Sequence, residues 1–135
     1  MALFEWSDDY SVGVPSLDQE HKELVGMLNA LHDAMAQGLG QEHLGEILDG
    51  LVAYTAKHFA HEEELFATYH YSETEQHIAE HQLLVSQVME FQVKFKEKRA
   101  SVNMELMRFL KDWLIGHILG SDKRYSELLV SHRVA

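Results

Sequence analysis

The stretch HIAEHQLLVSQVMEFQVKF, residues 77–95, carries Leu84, Val88, Phe91 and Phe95 at intervals of three and four. That is the spacing of one face of an α-helix and not the alternation of a half-buried strand. Followed backwards at the same intervals, the face ends on His81 and then His77. An apolar stripe therefore runs out into two imidazoles one helical turn apart.

The same period recurs along the chain. A first helix, capped by Ser16 or Asp18, shows Leu24, Leu28, Leu31 and Met35, helped by Val25, and stops at Gly38 and Gly40. A second runs from Gln41 to about Thr68, with Leu44, Leu48, Leu51, Thr55, Phe59 and Phe66 along one side. Ser72, with Glu75 three residues on, has the pattern of a capping box for the third helix, about Glu73 to Arg99. Ser101 is placed to cap a fourth, whose stripe is Leu106, Leu110, Trp113 and Leu114 and which lasts until Gly120. A last short helix spans Asp122 to Val130. Ahead of them all, residues 1 to about 16 form an irregular arm whose Phe4, Trp6, Tyr10 and Val14 can lie over helix ends or sides. The pattern predicts an all-α fold, an antiparallel up-down four-helix bundle with an irregular N-terminal arm and a short C-terminal helix, as one domain over residues 1–135.

Composition narrows the chemistry. The 135 residues include no cysteine, which excludes disulfides, iron–sulfur clusters and thiolate zinc sites. A net charge of −11 repels nucleic acid and anionic lipid and favours a monomer. No stretch is long and apolar enough to suggest a membrane span. The first residues lack the basic start of a signal peptide, so the expected location is cytoplasmic. The unusual number is ten histidines.

Helical phase sorts them, since each residue advances about 100° around the axis. His77 and His81 extend the stripe of the third helix. His58 and Glu62 share the phases of Leu48, Leu51 and Thr55, and His21 precedes Leu24, Val25 and Leu28. His117 follows Leu110, Trp113 and Leu114. In an up-down bundle all six fall at the same end. His61 sits at the boundary of its stripe or outside it. With His32, His43, His70 and His132 it is assigned to the surface or rim.

Buried imidazoles and a carboxylate without partners would cost several kcal/mol. Metal resolves this by using the lone pairs. Five imidazoles and a carboxylate exceed what one tetrahedral zinc needs and suit two metals bridged by a carboxylate, with iron, manganese, zinc or copper as candidates. Asp122, five residues past His117, is the candidate second bridge. On a regular helix it would point about 140° away. A kink or an ending at Gly120 would turn it back; otherwise Asp122 simply caps the closing helix.

In order, DQEHKEL, HFAHEE, HIAEH and WLIGHILGSDKRY resemble the hemerythrin family in its bacterial form. The family pattern of a histidine, H-x3-E, H-x3-H and H-x4-D falls on His21, on His58 with Glu62, on His77 with His81, and on His117 with Asp122. The resemblance implies two iron ions bridged by Glu62, Asp122 and an oxo or hydroxo group. His77, His81 and His117 would fill one iron; His21 and His58 would hold the other and leave a position open for dioxygen. It also implies an apolar oxygen pocket at Leu24, Phe59, Trp113, Leu114 and Ile118. Tyr125 is a candidate neighbour to the ligands.

The expected function is reversible dioxygen binding without enzymatic turnover, for carriage, storage or delivery, with an oxygen-consuming enzyme as a conceivable partner. The alternatives are a sensor of oxygen, redox state or nitric oxide, and a di-iron oxidase or ferroxidase. The neutral imidazoles favour the first over the carboxylate-rich sets of ferritin-like enzymes.

Overall fold

The computed structural model describes residues 3–135. After a 3₁₀ turn at Asp8–Tyr10 come helices α1 (Pro15–Ala36), α2 (Gln41–Tyr69), α3 (Thr74–Lys96) and α4 (Met104–Gly116). A π-helical turn, His117–Asp122, joins α4 to α5 (Lys123–Ser131). The fold is the all-α, antiparallel up-down bundle that the periodicity predicts. Helix α1 packs on α2 and α4, and α2 packs on α3.

Three helix starts differ from the sequence reading. Helix α1 begins at Pro15, after Val14, so neither Ser16 nor Asp18 is its cap. Proline is pre-set for a first helical position, where its missing N–H costs nothing. Asp18 holds the arm instead, accepting from Ser11 Oγ at 2.6 Å and from the Val12 N–H at 2.8 Å. At α3 the capping box of Ser72 and Glu75 does not form. The flanking residue is Glu73, without a side-chain cap bond, and Thr74 Oγ1 donates to the Tyr71 carbonyl at 2.6 Å. At α4 the cap is Asn103, which accepts from the Leu106 N–H at 3.0 Å, and not Ser101. Val102 explains the delay. It is buried, and the Gln41 amide accepts from its N–H at 2.7 Å and donates to its carbonyl at 3.1 Å. The chain is pinned in an extended form until that pair is passed.

The core is divided. One apolar cluster, with Leu24, Leu28, Leu48, Leu51, Met107 and Leu114, fills most of the bundle and takes Phe4, Trp6 and Tyr10 of the arm against it. A second, with Val12, Val14, Leu17, Phe66, Tyr71, Tyr125 and Leu129, closes one end. Leu17 lies one turn before His21, Phe66 one turn after Glu62, and Tyr125 just after Asp122. A buried polar layer is therefore clamped between two apolar ones.

Candidate metal centre

That layer consists of His21 from α1, His58 and Glu62 from α2, His77 and His81 from α3, and His117 and Asp122 from the π-helical turn. Each is at most 5% exposed. Four-residue spacing stacks His58 with Glu62 and His77 with His81 on a regular helix. Five-residue spacing does not. The chain solves this by widening the helix, neither by the kink or ending at Gly120 nor by the side-chain cap from Asp122 that the sequence allows. In a π-helical turn residue i bonds i+5, so His117 and Asp122 come over one another.

The two carboxylates span the layer. Glu62 Oε1 lies 3.1 Å from His81 Nε2 and 3.6 Å from His77 Nε2, while its Oε2 lies 3.5 Å from His58 Nε2 and 3.7 Å from His21 Nε2. Asp122 Oδ1 lies 2.9 Å from His77 Nε2 and 3.0 Å from His117 Nε2, and its Oδ2 lies 3.1 Å from His21 Nε2. One oxygen of each therefore faces His77, His81 and His117, and the other faces the side of His21 and His58. The second side has one imidazole fewer. Ligand atoms of Glu62, His77, His81 and His117 lie within 4.8 Å of one another, as do those of His21, His58, Glu62 and Asp122.

These short separations are not hydrogen bonds. Nε2 of His21, His77, His81 and His117, Oε1 of Glu62 and both Asp122 oxygens are buried without a hydrogen-bond partner among the described residues. Buried polar atoms are almost always satisfied. Here they converge on shared space, and a pair of cations would satisfy them together, so the residues fit two metal ions. The field has the right sign. Burial opposes a charge on His21, but a protonated ring there would pair with the carboxylates of Asp122 and Glu62, which outweighs burial and pushes its pKa up to about 9. His77 reaches about 9 for the same reasons. Burial tends to raise both carboxyls, yet the surrounding imidazoles hold Glu62 and Asp122 below the ordinary carboxylate range.

A second ring of contacts orients the first. Tyr125 OH donates to Glu62 Oε2 at 2.6 Å, and Glu63 Oε2 lies 3.0 Å from His81 Nδ1. Glu20 reaches from α1 to both His58 Nδ1 at 2.6 Å and His61 Nδ1 at 2.8 Å. Burial works against its charge, but the two imidazoles keep its pKa lowered. Sequence reading had Tyr125 as a candidate but missed Glu20 and Glu63. The available signal was a carboxylate next to a ligand-type residue at each place: Glu20 beside His21, Glu63 beside Glu62. His61 and His32 are half-buried, whereas His43, His70 and His132 are exposed.

An apolar cavity of about 90 Å³ reaches the layer. Its lining includes His21, His58, His117 and Asp122, together with Leu24, Phe59, Trp113 and Leu114, but not His77 or His81. Ile118 is fully buried in the main cluster and is not part of the lining.

Residues 12–129 match the family described as the hemerythrin HHE cation binding domain. The chain is 35% identical to a bacteriohemerythrin of Stenotrophomonas maltophilia (strain R551-3), over 98% of this chain and 85% of that one. It is 37% identical to a bacteriohemerythrin of Methylococcus capsulatus (strain ATCC 33009 / NCIMB 11132 / Bath), over 96% of this chain and 98% of that one. A crystal structure of wild-type hemerythrin superposes with a TM-score of 0.91 at 36% identity, covering 95% of this chain and 98% of that chain.

Proposed function

Because the chain belongs to the hemerythrin HHE cation-binding family, we propose that it binds dioxygen reversibly at a pair of iron ions, for carriage, storage or delivery. In this reading His77, His81 and His117 hold one ion, His21 and His58 hold the other, and Glu62 and Asp122 span both. Bound iron would supply the electrons for reversible binding of dioxygen. The protein supplies the enclosure and the selectivity.

One observation carries the reading. The cavity opens onto His21, His58, His117 and Asp122 and not onto His77 or His81, and at about 90 Å³ it has room for a small molecule. Leu24, Leu28, Phe59, Leu114 and Trp113 give it apolar walls, which disfavour water beside the site. The lining also lacks a free hydroxyl. Thr55 is the hydroxyl residue there, and its Oγ1 donates to the Leu51 carbonyl at 2.7 Å. Apart from the proposed ligands, no side chain of the lining is placed as a general acid or base. That favours a ligand that comes and goes unchanged over one that is converted.

The test is to reduce the iron-loaded protein without air, admit oxygen and record visible absorption. A band that grows with oxygen and is lost on evacuation, over repeated cycles, supports binding. Irreversible bleaching with continued consumption of a reductant would assign the site to an oxidase instead.

A further inference from the structure

The imidazoles of the layer are not held equally from behind. His81 has Glu63 at its Nδ1, and Glu63 has no second partner among the described residues. Glu80 lies 3.9 Å from His117 Nδ1, beyond hydrogen-bond reach, and accepts from Ser121 Oγ at 2.7 Å instead. His21 Nδ1 has no hydrogen-bond partner among the described residues. On the donor-poor side, then, one imidazole is anchored by a carboxylate, and that is His58 by Glu20.

The anchor is built from both ends. Glu20 Oε1 takes His58 Nδ1 at 2.6 Å while Oε2 takes His61 Nδ1 at 2.8 Å. Its side chain is 23% exposed and that of His58 2%, so the first of these bonds is largely shielded from water. His58 and His61 lie three residues apart on α2, and Glu20 crosses from α1 to meet both. With each oxygen engaged, the carboxylate cannot swing away without losing two hydrogen bonds. An imidazole whose Nδ1–H is fixed on a carboxylate presents its Nε2 lone pair in one direction, and the anion makes that nitrogen a stronger donor.

We propose that Glu20, braced by His61, is a positioning residue that retains the metal ion on the His21 and His58 side and favours its oxidised state. The proposal rests on the di-iron reading above and adds to it a residue that contacts neither metal nor oxygen.

The experiment compares iron-loaded wild-type protein with Glu20→Ala, Glu20→Gln and His61→Ala. Iron release to a chelator is timed, and the midpoint potential of the iron pair is measured. Glu20→Ala should release one iron roughly 10–100-fold faster than wild type, the usual effect of removing such a partner. The other iron should leave at the wild-type rate, and a crystal structure of the chelator-treated variant should place it beside His77, His81 and His117. Glu20→Gln, whose amide oxygen still accepts from His58, should keep both ions but show a raised potential. His61→Ala should fall between wild type and Glu20→Ala.

Release of both irons from Glu20→Ala at the wild-type rate overturns the proposal. So does equal acceleration of both, which would mean a general loosening of the fold. An unchanged potential in Glu20→Gln refutes the electronic half. Wild-type protein that never takes up two irons would sink the metal-centre reading itself, and this proposal with it.

Discussion

Protons and metal cations compete for the same imidazole nitrogens, so stripping the metal should reverse the pH dependence of stability. In the metal-free protein His21 and His77 have pKa values of about 9, raised from an ordinary 6.5. A histidine with a raised folded-state value stabilises fully below its unfolded value and loses that contribution as pH climbs through the folded one. The window is therefore pH 6.5 to 9. Each residue contributes roughly 3 kcal/mol at its lower edge, at about 1.36 kcal/mol per pH unit. The two do not simply add, because both lean on Asp122, at 3.1 Å and 2.9 Å. A combined loss of about 3–6 kcal/mol is expected, and at about 3–4 °C per kcal/mol for a domain of this size, Tm should fall by roughly 10–20 °C. Glu62 and Asp122 do not interfere, since their lowered values put their loss of stability in acid, below this window. The iron-loaded protein should behave oppositely, holding or gaining stability over the same range, because deprotonated imidazoles bind metal better. Calorimetric melts of both forms between pH 6 and pH 9.5 measure this. A flat Tm in the chelated protein, or parallel curves for the two forms, would refute the electrostatic account of the layer. Asp122→Asn in metal-free protein should flatten the curve.

Other perturbations read the surrounding structure. Tyr125→Phe removes the hydroxyl that donates to Glu62 Oε2 at 2.6 Å; unfolding in urea should show a loss of about 1.5–3 kcal/mol, typical of a hydrogen bond to a charged group. Gly45→Ala and Gly50→Ala should differ in sign. A Cβ at Gly45 would sit 2.6 Å from the Phe95 ring, whereas one at Gly50 meets nothing within 4 Å. The first should cost about 1–3 kcal/mol through overpacking, and the second should gain about 0.5–1 kcal/mol from helix propensity, both read from urea midpoints. Asn103→Ala should cost about 1 kcal/mol as the loss of a helix cap, and Ser101→Ala should leave the midpoint where it was.

Most of the site was legible because helical phase is a strong signal where the helix is regular. His21, His58, Glu62, His77, His81 and His117 could each be assigned to the interior by counting from the nearest leucines, and the alternation of chain direction set them level. Asp122 could be nominated but not placed. A π-helical turn has no marker of its own in ILGSD, and the widened register follows from local packing that no periodicity encodes. Ser101 and Asn103 both suit a helix cap, and the choice between them was made from a distance by Gln41, which holds Val102 extended. Glu20 was lost for a related reason. Sorting each helix into an inside and an outside discards the flank between them, yet a residue on the flank is the one that can reach a neighbouring helix.

The two sides of the layer are also made rigid by different means, and this bears on why the sides could do different work. Phe59 stacks on His81 with ring centroids 3.7 Å apart, Trp113 stacks on His117 at 4.4 Å, and Phe66 meets His77 edge-on at 4.8 Å. Each imidazole of the donor-rich side is thus braced by an aromatic face or edge, contacts that exclude water and need no charge. On the other side His21 and His58 pack mainly against each other, edge to face at 4.7 Å, with Glu20 behind His58. Phe59 and Trp113 line the cavity as well. The same rings that pin His81 and His117 therefore wall the space that reaches His21 and His58. A smaller residue at either position would loosen a donor and enlarge the cavity in one step. Pocket shape and donor rigidity cannot be tuned separately at Phe59 or Trp113, whereas Leu24, Leu28 and Leu48 contact the cavity without stacking on any imidazole. Variation in ligand affinity that leaves the metal pair intact should accordingly map to those leucines and not to the aromatic rings.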